Sequence, residues 1–355
     1  MSYMLTKLFP NKYVHILCVV FTVTLSCTNA NREYDSSVLI HVTDTPNRVG
    51  MDDYIKIESE LVVIDTLPII SEMVDIAQIG NNCYVLDNNK AISCIDMKDG
   101  KIIKQKRRIG HSLREFVQPI ALATDSSLIY VFDAGSNKMV TMDRNLSIKE
   151  STAMPCGFER FTKVDGGYLC YSEYHPAVHF ITDSGELTYT HSMANYVVDT
   201  SLKSNVFASD EDNNVYIKAE FSDTIFQWAN GECVPKYILG FGENSVPNNI
   251  KKTSDIWAKH FTFSMDFFVE REKLVFSYIE DHVKRYVCYS TKTGYFSNFS
   301  VDSINNTPFL PQWKSGSCYY TFANPEITKL MLKNLGRNNS TLIKYHVSLS
   351  GSSAE

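Results

Sequence analysis

The segment 171–179, YSEYHPAVH, brings together residue types that can transfer protons or bind metals. Glu173, His175 and His179 lie within seven residues, and a carboxylate with two imidazoles can act in acid–base catalysis or hold a metal ion. Either chemistry requires a loop that turns the three side chains toward one point. Pro176 predicts a turn between the two histidines, which then do not share one face of a strand. We therefore assign no catalytic residue and no metal site here.

Motifs of the common enzyme classes are missing from the sequence. It contains no H-E-x-x-H, no G-x-S-x-G and no P-loop. Gly240 and Gly242 lack the third glycine and the strand-to-helix context of a dinucleotide site, so they are interpreted as turn formers. The acidic run from Asp210 to Asp212 lacks the glycine and the distal glutamate of an EF-hand, and a hairpin turn explains it. No catalytic residue and no cofactor is predicted.

Seven cysteines are scattered singly beyond residue 80 and form no C-x-x-C motif. This spacing favours small buried core residues over a disulfide scaffold or a structural zinc site. One pair differs from the others. If Asn88 and Asn89 form a two-residue turn, Cys83 and Cys94 lie directly opposite each other across a hairpin, and we predict a candidate disulfide between them.

A short apolar strand that follows a polar turn recurs six times after residue 80. The copies read NNCYVLD (81–87), SSLIYVFD (126–133), GGYLCYSE (166–173), NNVYIKAE (213–220), EKLVFSYIED (272–281) and SGSCYYTF (315–322). Most copies are followed by a second strand and another polar turn. Repeats of about 40–60 residues, each too small to bury its own faces, are typical of the blades of a β-propeller.

Six copies predict an all-β fold, a six-bladed β-propeller with four-stranded antiparallel blades. A β-sandwich does not require a sequence repeat, and the repeats of a solenoid are shorter than those found here. Closure of the ring needs strands from both ends of the chain, so we expect residues 55–65 and 341–348 to share one blade. Residues 324–338 carry apolar side chains at helical spacing and predict a short helical insertion in the last blade. A second short helix is expected around Asp255.

The segment from Phe221 to Pro247 resembles the signature of a known family. FSDTIF (221–226), PKYILGFG (235–242) and Pro247 look like the pattern D-T-I-Y … P-x-Y-x-x-D-F-G … P of six-bladed β-propeller lipoproteins common in Bacteroidota, which are similar to NHL-type and TolB-like propellers. The resemblance covers most of residues 55–348 and implies the fold and an envelope location, while it implies little about biochemical role. It departs at GHSLREF (110–116), where the family usually has G-x-G-P-G-E-Y.

The ligand site of a propeller normally lies over the central channel, where loops of several blades converge. We predict that His111, Arg114 and Glu115 in the divergent loop, with Tyr174 and His175 in the third blade, bind the ligand. Arg114 can pair with a carboxylate, and the aromatic rings can stack on a sugar face or a peptide side chain. The alternative is that these residues only hold the loops together.

The N-terminus has the pattern of an export signal. Two lysines precede the apolar run Val14–Leu25, which is too short to span a bilayer as a helix. The end of this run, Leu25-Ser26-Cys27, resembles a bacterial lipobox with Thr24 at the usual leucine position, so we predict lipidation of Cys27; an ordinary secretory signal is the alternative. The predicted domains are a signal peptide (1–26), a polar tether (27–50) and the propeller (51–350).

The composition excludes several classes of protein. A chain of 355 residues with 44% hydrophobic and 21% charged residues can bury a large core and is not typical of a disordered protein. The formal net charge of -6 provides no basic surface for a nucleic acid. The short basic run Lys104–Arg108 is interpreted as a solvated face of a strand or loop.

Three functional hypotheses remain. The first is a binding module of the cell envelope without catalysis, held to the membrane only by its lipid anchor, expected at the outer membrane, with a propeller face that recognises a protein or peptide partner. The second is a propeller that binds a glycan or a small molecule, which predicts a channel mouth rich in polar and aromatic groups. The third is a hydrolase or lyase, which predicts convergent carboxylates or histidines in the channel. An apolar, plugged channel would contradict the second and third.

Overall fold

Each of the six predicted repeats forms one sheet. The computed structural model describes residues 37–42, 55–65, 67–107, 110, 112, 115–201, 204–247, 249–300, 309–315, 318–324 and 340–349. Within these residues, 25 strands form six sheets. Each sheet has an inner strand at the channel, two middle strands and an outer strand, and the sheets are arranged as the blades of a ring. The predicted six-bladed β-propeller is confirmed.

The strands follow the chain blade by blade. Two strands come first, β1 (Val38–His41) and β2 (Ile55–Val63). Blade 1 contains β3 (Met73–Ile79), β4 (Asn82–Asp87), β5 (Ala91–Asp96) and β6 (Ile102–Arg107). Blade 2 contains β7 (Pro119–Thr124), β8 (Leu128–Asp133), β9 (Lys138–Asp143) and β10 (Ile148–Ala153). Blade 3 contains β11 (Arg160–Val164), β12 (Gly167–Ser172), β13 (Ala177–Thr182) and β14 (Leu187–Ser192).

The second half of the ring has the same order with two additions. Blade 4 contains β15 (Phe207–Ser209), β16 (Val215–Ile217), β17 (Thr224–Ala229) and β18 (Glu232–Gly240). Blade 5 contains β19 (Phe263–Val269), β20 (Lys273–Glu280), β21 (Val283–Ser290) and β22 (Phe296–Ser300). Blade 6 contains β23 (Trp313–Ser315), β24 (Cys318–Ala323) and β25 (Thr341–Leu349). The helix α1 (Thr253–Ala258) and a 3₁₀ turn (Gly242–Asn244) lie between blades 4 and 5, and α1 confirms the helix expected around Asp255.

The second strand of each blade is one of the six apolar repeats, because this strand is buried on both faces. Successive side chains of β4 point to opposite faces, so Cys83 packs toward blade 6 while Tyr84 packs toward blade 2. A strand between two neighbouring blades therefore reads as a continuous apolar run. The outer strand β6 forms the exposed edge of the blade, and its residues are exposed or half-buried.

The ring closes with a strand from the N-terminal part of the chain. β2 pairs antiparallel with β25 from Ile55 opposite Leu349 to Val63 opposite Thr341, and it supplies the outer strand of blade 6. The predicted closure is confirmed. Gly100, in the turn between β5 and β6, packs against the end of β2, where a Cβ atom would lie 2.1 Å from the carbonyl oxygen of Val63. The φ of this glycine is +75°, so both space and backbone conformation require glycine here.

The segment predicted to be a polar tether contains a strand. β1 pairs in parallel with β18 as a fifth strand of blade 4, with Ile40 opposite Leu239. Ile40 is 2% exposed and joins the core cluster between blades 4 and 5. The tether prediction for residues 27–50 is therefore wrong at Val38–His41, because burial of Ile40 and main-chain pairing with β18 hold these residues to the blade. The predicted signal peptide (1–26), Cys27 and, except for Asn324, the predicted helical insertion (324–338) lie outside the described residues.

The predicted disulfide between Cys83 and Cys94 is wrong. Cys83 lies opposite Ile95, Cys94 lies opposite Tyr84, and both thiols are free and buried. The turn is one residue longer than the predicted one, because Lys90 has a φ of 64° and joins the loop between the strands. A register shift of one residue moves a side chain to the other face of the sheet, so the two thiols point toward different neighbouring blades.

Candidate functional site

The inner strands of the blades enclose a central channel. Its cavity has a volume of about 2100 Å³ and is lined by residues of all six blades. Inner strands of neighbouring blades run in the same direction, as the hydrogen bonds from Leu122 to Asp75 and from Thr124 to Gln78 show for blades 1 and 2. We call the end at which the inner strands begin the upper mouth; its residues include Glu72, Glu159, Glu173, Ser201 and Ser204.

The channel carries an excess of negative charge. The described lining contains ten carboxylates and four cationic side chains, and it contains no histidine. The carboxylates are Glu72, Asp75, Asp125, Glu159, Asp165, Glu173, Asp210, Glu211, Asp212 and Asp266. The cations are Arg160, Lys163, Lys284 and Lys314. Three of these cations are already ion-paired, Lys163 with Asp183, Lys284 with Asp266 and Lys314 with Glu211. A cleft lined by one sign of charge concentrates ions of the opposite sign.

Asp75 connects the inner strands of blades 1 and 2. One carboxylate oxygen accepts the N–H of Ile76 at 2.8 Å, and the other accepts the N–H of Leu122 on β7 at 2.7 Å. Burial raises the pKa of this carboxyl group, while the charge of Arg160 and the two backbone N–H groups act in the opposite direction. Because both oxygens are occupied by backbone donors, Asp75 stabilises the ring and is poorly placed for proton transfer.

A second polar connection joins blades 4 and 5. The Asn205 N–H donates to Asp266 Oδ1 at 3.2 Å, and the Asn205 amide also bonds both main-chain groups of Phe267. Asp266 Oδ2 pairs with Lys284 Nζ at 2.9 Å. Behind this pair lies Lys218, which is fully buried and donates to the carbonyl oxygens of Ala219 and Ser264. In this part of the channel wall, the charges of Asp266 and Lys284 neutralise each other.

The upper mouth between blades 3 and 4 carries acidic side chains and one buried hydroxyl group. Glu159 accepts the main-chain N–H of Glu173 at 2.7 Å, which aims the two acidic residues at one edge of the channel. Glu220 accepts the Ser201 hydroxyl and the Ser204 N–H. The Ser204 hydroxyl is buried in the channel wall, and it has no hydrogen-bond partner among the described residues. This edge therefore offers carboxylates and a hydroxyl to a ligand.

The structure describes three of the five predicted ligand residues. Glu115 folds back on its own loop, where Oε2 accepts the Ser112 N–H at 3.1 Å and the carbonyl oxygen accepts Lys138 Nζ at 2.8 Å. A Cβ atom at Gly110 would lie 2.1 Å from the same Oε2. Glu115 thus holds the loop and does not line the channel. His111 and Arg114 lie outside the described residues.

Tyr174 and His175 lie on the rim next to a channel residue. They follow Glu173 in the turn after β12, and their rings meet edge to face with centroids 4.7 Å apart. Tyr174 is 61% exposed, and its carbonyl oxygen accepts the Val198 N–H. These rings can contact a partner that covers the upper mouth, but they do not reach into the channel.

The histidine cluster considered from the sequence does not form. His179 lies within β13, where Nε2 contacts Ser172 Oγ and Nδ1 contacts Thr190 Oγ1, each at 3.0 Å. Burial lowers the pKa of His179, which favours the neutral ring. His175 lies in the turn, so Pro176 separates the two rings as predicted. Across the described residues, no group of three or more His, Cys, Asp or Glu side chains is arranged to hold a metal ion.

The acidic run at Asp210 is a hairpin turn, as predicted. Asp210 accepts the N–H groups of Asp212 and Asn214, and also the Asn214 amide and the Tyr216 hydroxyl. Its oxygens are therefore occupied by the turn between β15 and β16. Glu211 and Asp212 instead form ion pairs with Lys314 and Arg271. The sequence reasoning missed most of the channel carboxylates because they lie in the short loops at the ends of the inner strands, where no motif marks them.

A comparison with protein-family models assigns the chain to a family. Residues 65–354, which include every strand from β3 to β25, match a family described as a domain of unknown function, DUF4934. The chain belongs to the DUF4934 family. A search of curated proteins finds no match. Within the described residues of this DUF4934 chain, no helix has the length and apolar content needed to cross a membrane.

Two solved structures share the fold of this DUF4934 chain. A Bacteroides fragilis protein provisionally described as exported is 15% identical with a TM-score of 0.66, over 88% of this chain and 100% of that one. A member of the DUF4221 family from Bacteroides vulgatus is 8% identical with a TM-score of 0.59, over 84% of this chain and 99% of that one. Both support the propeller fold. The finer resemblance to NHL-type and TolB-like lipoproteins stays a prediction.

Proposed function

We propose that this DUF4934 protein is a binding module of the cell envelope without catalysis, and that its upper mouth holds a positively charged segment of a protein or peptide partner. The observation that carries the proposal is the charge of the channel. The described lining contains ten carboxylates and four cations; ion pairs neutralise three of the cations and three of the carboxylates, Asp266, Glu211 and Asp212. Of the seven other carboxylates, Glu72, Glu159 and Glu173 lie at the upper mouth. A lysine, arginine or free amino terminus is the peptide group that such a field attracts.

The rim adds contacts that suit a peptide. In the described part of the chain, the Glu173 carboxylate forms no ion pair, and it lies next to the exposed ring of Tyr174. An ammonium or guanidinium group can pair with the carboxylate while it contacts the aromatic face. The Ser204 hydroxyl is buried and has no hydrogen-bond partner in the part of the chain that the structure describes, so it can provide a further hydrogen bond deeper in the wall.

Two carboxylates of the described channel wall, Asp75 and Asp266, are held by other groups, which supports binding over catalysis. Burial raises the pKa of Asp75, but backbone N–H groups occupy both of its carboxylate oxygens, so it is poorly placed to exchange a proton with a substrate. Asp266 is neutralised by Lys284. Catalysis by paired carboxylates needs one acid and one base that both face the substrate, and these two residues instead hold the inner strands together.

The proposal includes an envelope location. The apolar run Val14–Leu25 and Cys27 have the pattern of a lipoprotein signal, and a structure with the same fold is provisionally described as exported. Lipidation at Cys27 leaves ten residues between the anchor and Val38, the first residue of β1. A segment of that length reaches at most about 35 Å, so the propeller stays close to the membrane surface.

Titration calorimetry of the mature protein with short peptides tests the binding proposal. A lysine-containing peptide with a free amino terminus is compared with its acetylated, glutamate-containing counterpart. We expect heat of binding for the first peptide only, and weaker binding at high salt because screening reduces the field. Glu173→Gln removes one rim charge and should weaken binding by about 1 kcal/mol, or roughly fivefold.

Glu272→Gln is the matched control. Glu272 is an exposed carboxylate in the turn between β19 and β20, at the opposite end of blade 5, where it pairs with Lys292. This variant should leave binding unchanged. Equal binding of both peptides, or equal effects of the two variants, would refute a channel that selects for positive charge.

Crosslinking in intact cells tests the partner and the anchor together. A tagged chain and its Cys27→Ala form are crosslinked in parallel, and the captured proteins are identified by mass spectrometry. We expect one envelope protein to be captured reproducibly and less of it when the anchor is lost. Capture that is insensitive to Cys27→Ala would separate partner binding from lipid anchoring.

A further inference from the structure

Blade 6 carries a pair of reactive side chains far from the mouth residues Glu173 and Ser204. Cys318, the first residue of β24, lies directly opposite His346 on β25. Its Sγ atom is 3.4 Å from Nδ1 and 3.9 Å from Nε2 of the imidazole, and the contact is open to solvent. A thiol and an imidazole at this separation share a hydrogen bond, along which a proton can pass from sulfur to nitrogen.

A carboxylate completes a row across three strands. Glu58 on β2 is the register partner of His346, on the other side from Cys318. Directly paired residues of neighbouring strands point to the same face of the sheet, so thiol, imidazole and carboxylate follow one another on the face turned toward blade 1. The row places a negative charge on the same face as the imidazole, while the contact that carries the chemistry is the one between thiol and imidazole.

The other described cysteines lack such a partner. Five are buried in the blade interfaces: Cys83, Cys94, Cys170, Cys233 and Cys288. Cys156 is partly exposed like Cys318, but burial raises the pKa of its thiol and no base contacts it among the described residues. Cys156 is thus a natural internal reference for the effect of the imidazole.

Two further ionisable side chains, Tyr320 and Lys344, lie near the pair. Tyr320, two residues along the same face of β24, has a pKa raised by burial and by the nearby thiols of Cys318 and Cys83. Lys344 on β25 pairs with Glu60 on β2 at 3.4 Å. The imidazole of His346 is therefore the group placed to accept the proton of Cys318.

We propose that Cys318 is a modification site that forms mixed disulfides with small disulfide compounds. His346 takes the thiol proton, and the thiolate attacks one sulfur of the compound. The sulfur–sulfur bond of the compound breaks, a new bond forms to Sγ, and the second half leaves as a thiolate that regains the proton from the imidazolium. The balance is one protein thiol and one disulfide giving one mixed disulfide and one free thiol. This site is independent of the channel.

The test uses the mature full-length chain with oxidised glutathione as the probe. Adducts are located by peptide mass spectrometry over a pH series, and alkylation rates with iodoacetamide are measured on the same samples. We expect the adduct on Cys318, at a rate about tenfold above that of Cys156 at neutral pH. His346→Asn should lower the rate at Cys318 about tenfold and shift its pH profile toward that of an ordinary thiol.

His175→Asn is the matched control, since His175 is an exposed histidine in blade 3 that contacts no cysteine. This variant should leave the rate and pH profile of Cys318 unchanged. If Cys318 and Cys156 react at equal rates, or if His346→Asn leaves the profile of Cys318 unchanged, the imidazole does not activate the thiol. Should His346→Asn fail to fold, the pH profiles of the two cysteines in the unaltered protein decide the question.

Discussion

The buried side chain of Lys218 predicts a pH dependence of the free energy of unfolding, and its magnitude follows from the structure. Its side chain is fully buried beside blade 5, and its Nζ atom donates to the carbonyl oxygens of Ala219 at 3.2 Å and Ser264 at 3.5 Å. Burial lowers the pKa of this ammonium group from 10.5 to about 8, while the charges of Asp266 and two other carboxylates partly oppose the shift. The folded protein therefore releases this proton more easily than the unfolded chain.

The sign of the pH dependence follows from proton linkage. Between about pH 8 and pH 10.5 the unfolded chain binds the proton and the folded protein does not, so the free energy of unfolding rises with pH in this window. The contribution of Lys218 grows by about 1.4 kcal/mol per pH unit there, which amounts to about 2 kcal/mol between pH 7 and pH 9.5 and about 3 kcal/mol when both states are deprotonated.

Urea unfolding of the unaltered protein and of Lys218→Met, each followed by circular dichroism from pH 7 to pH 9.5, measures the contribution of Lys218. The other titrating groups are the same in both proteins, so they cancel in the difference. We expect the unaltered protein to gain about 2 kcal/mol relative to the variant across this range. Lys292→Met removes a lysine that is 70% exposed and should give a flat difference. A flat difference for Lys218→Met would show that the buried ammonium is not destabilised by burial.

Three further predictions concern the stability of the ring. Gly100→Ala should lower the free energy of unfolding by about 2–4 kcal/mol because the methyl group collides with the backbone of β2. The control Gly294→Ala lies at a similar φ with no atom within 4 Å of the added methyl group, and it should cost about 1 kcal/mol. Equal losses in the two variants would contradict the collision. Asp75→Ala should cost about 2–4 kcal/mol in urea unfolding because it leaves two backbone N–H groups without an acceptor, and a loss within error of zero would contradict that role. Ile40→Asp should release β1 and speed proteolysis at residues 38–41, while the exposed control Leu39→Asp should not; equal cleavage rates would show that β1 is not held by Ile40.

Much of the fold was predictable because the second strand of each blade is buried on both faces. The apolar runs of these strands, such as NCYVLD and LIYVFD, are local features that repeat with polar turns between them. The terminal aspartates also repeat for a local reason: Asp87 and Asp133 accept N–H groups from the loop that precedes their own blade. The inner strands left a weaker pattern because one side faces the channel and several contain bulges.

The predicted ligand residues that the structure describes and the candidate channel site share one end of the propeller but not the same residues, and the ligand-binding role of Tyr174 and His175 stays a prediction. The aromatic pair Tyr174 and His175 lies on the rim, yet Glu173, which was considered only as part of a histidine cluster, is the residue of that turn that lines the channel. Glu115 was chosen for its charge and its place in a divergent loop. Its carboxylate instead bonds the main chain of the same loop, a contact that no spacing rule reveals.

By itself the sequence determined the number of blades, the identity of the middle strands and the closure by residues 55–65 and 341–348. These features depend on the local alternation of apolar strands and polar turns, a pattern that recurs six times in the sequence. Only the tertiary structure decided which faces Cys83 and Cys94 occupy, because one extra turn residue reverses a face. It also decided the charge of the channel and the contact of Cys318 with His346, because both arise where residues far apart in the chain become neighbours in the ring.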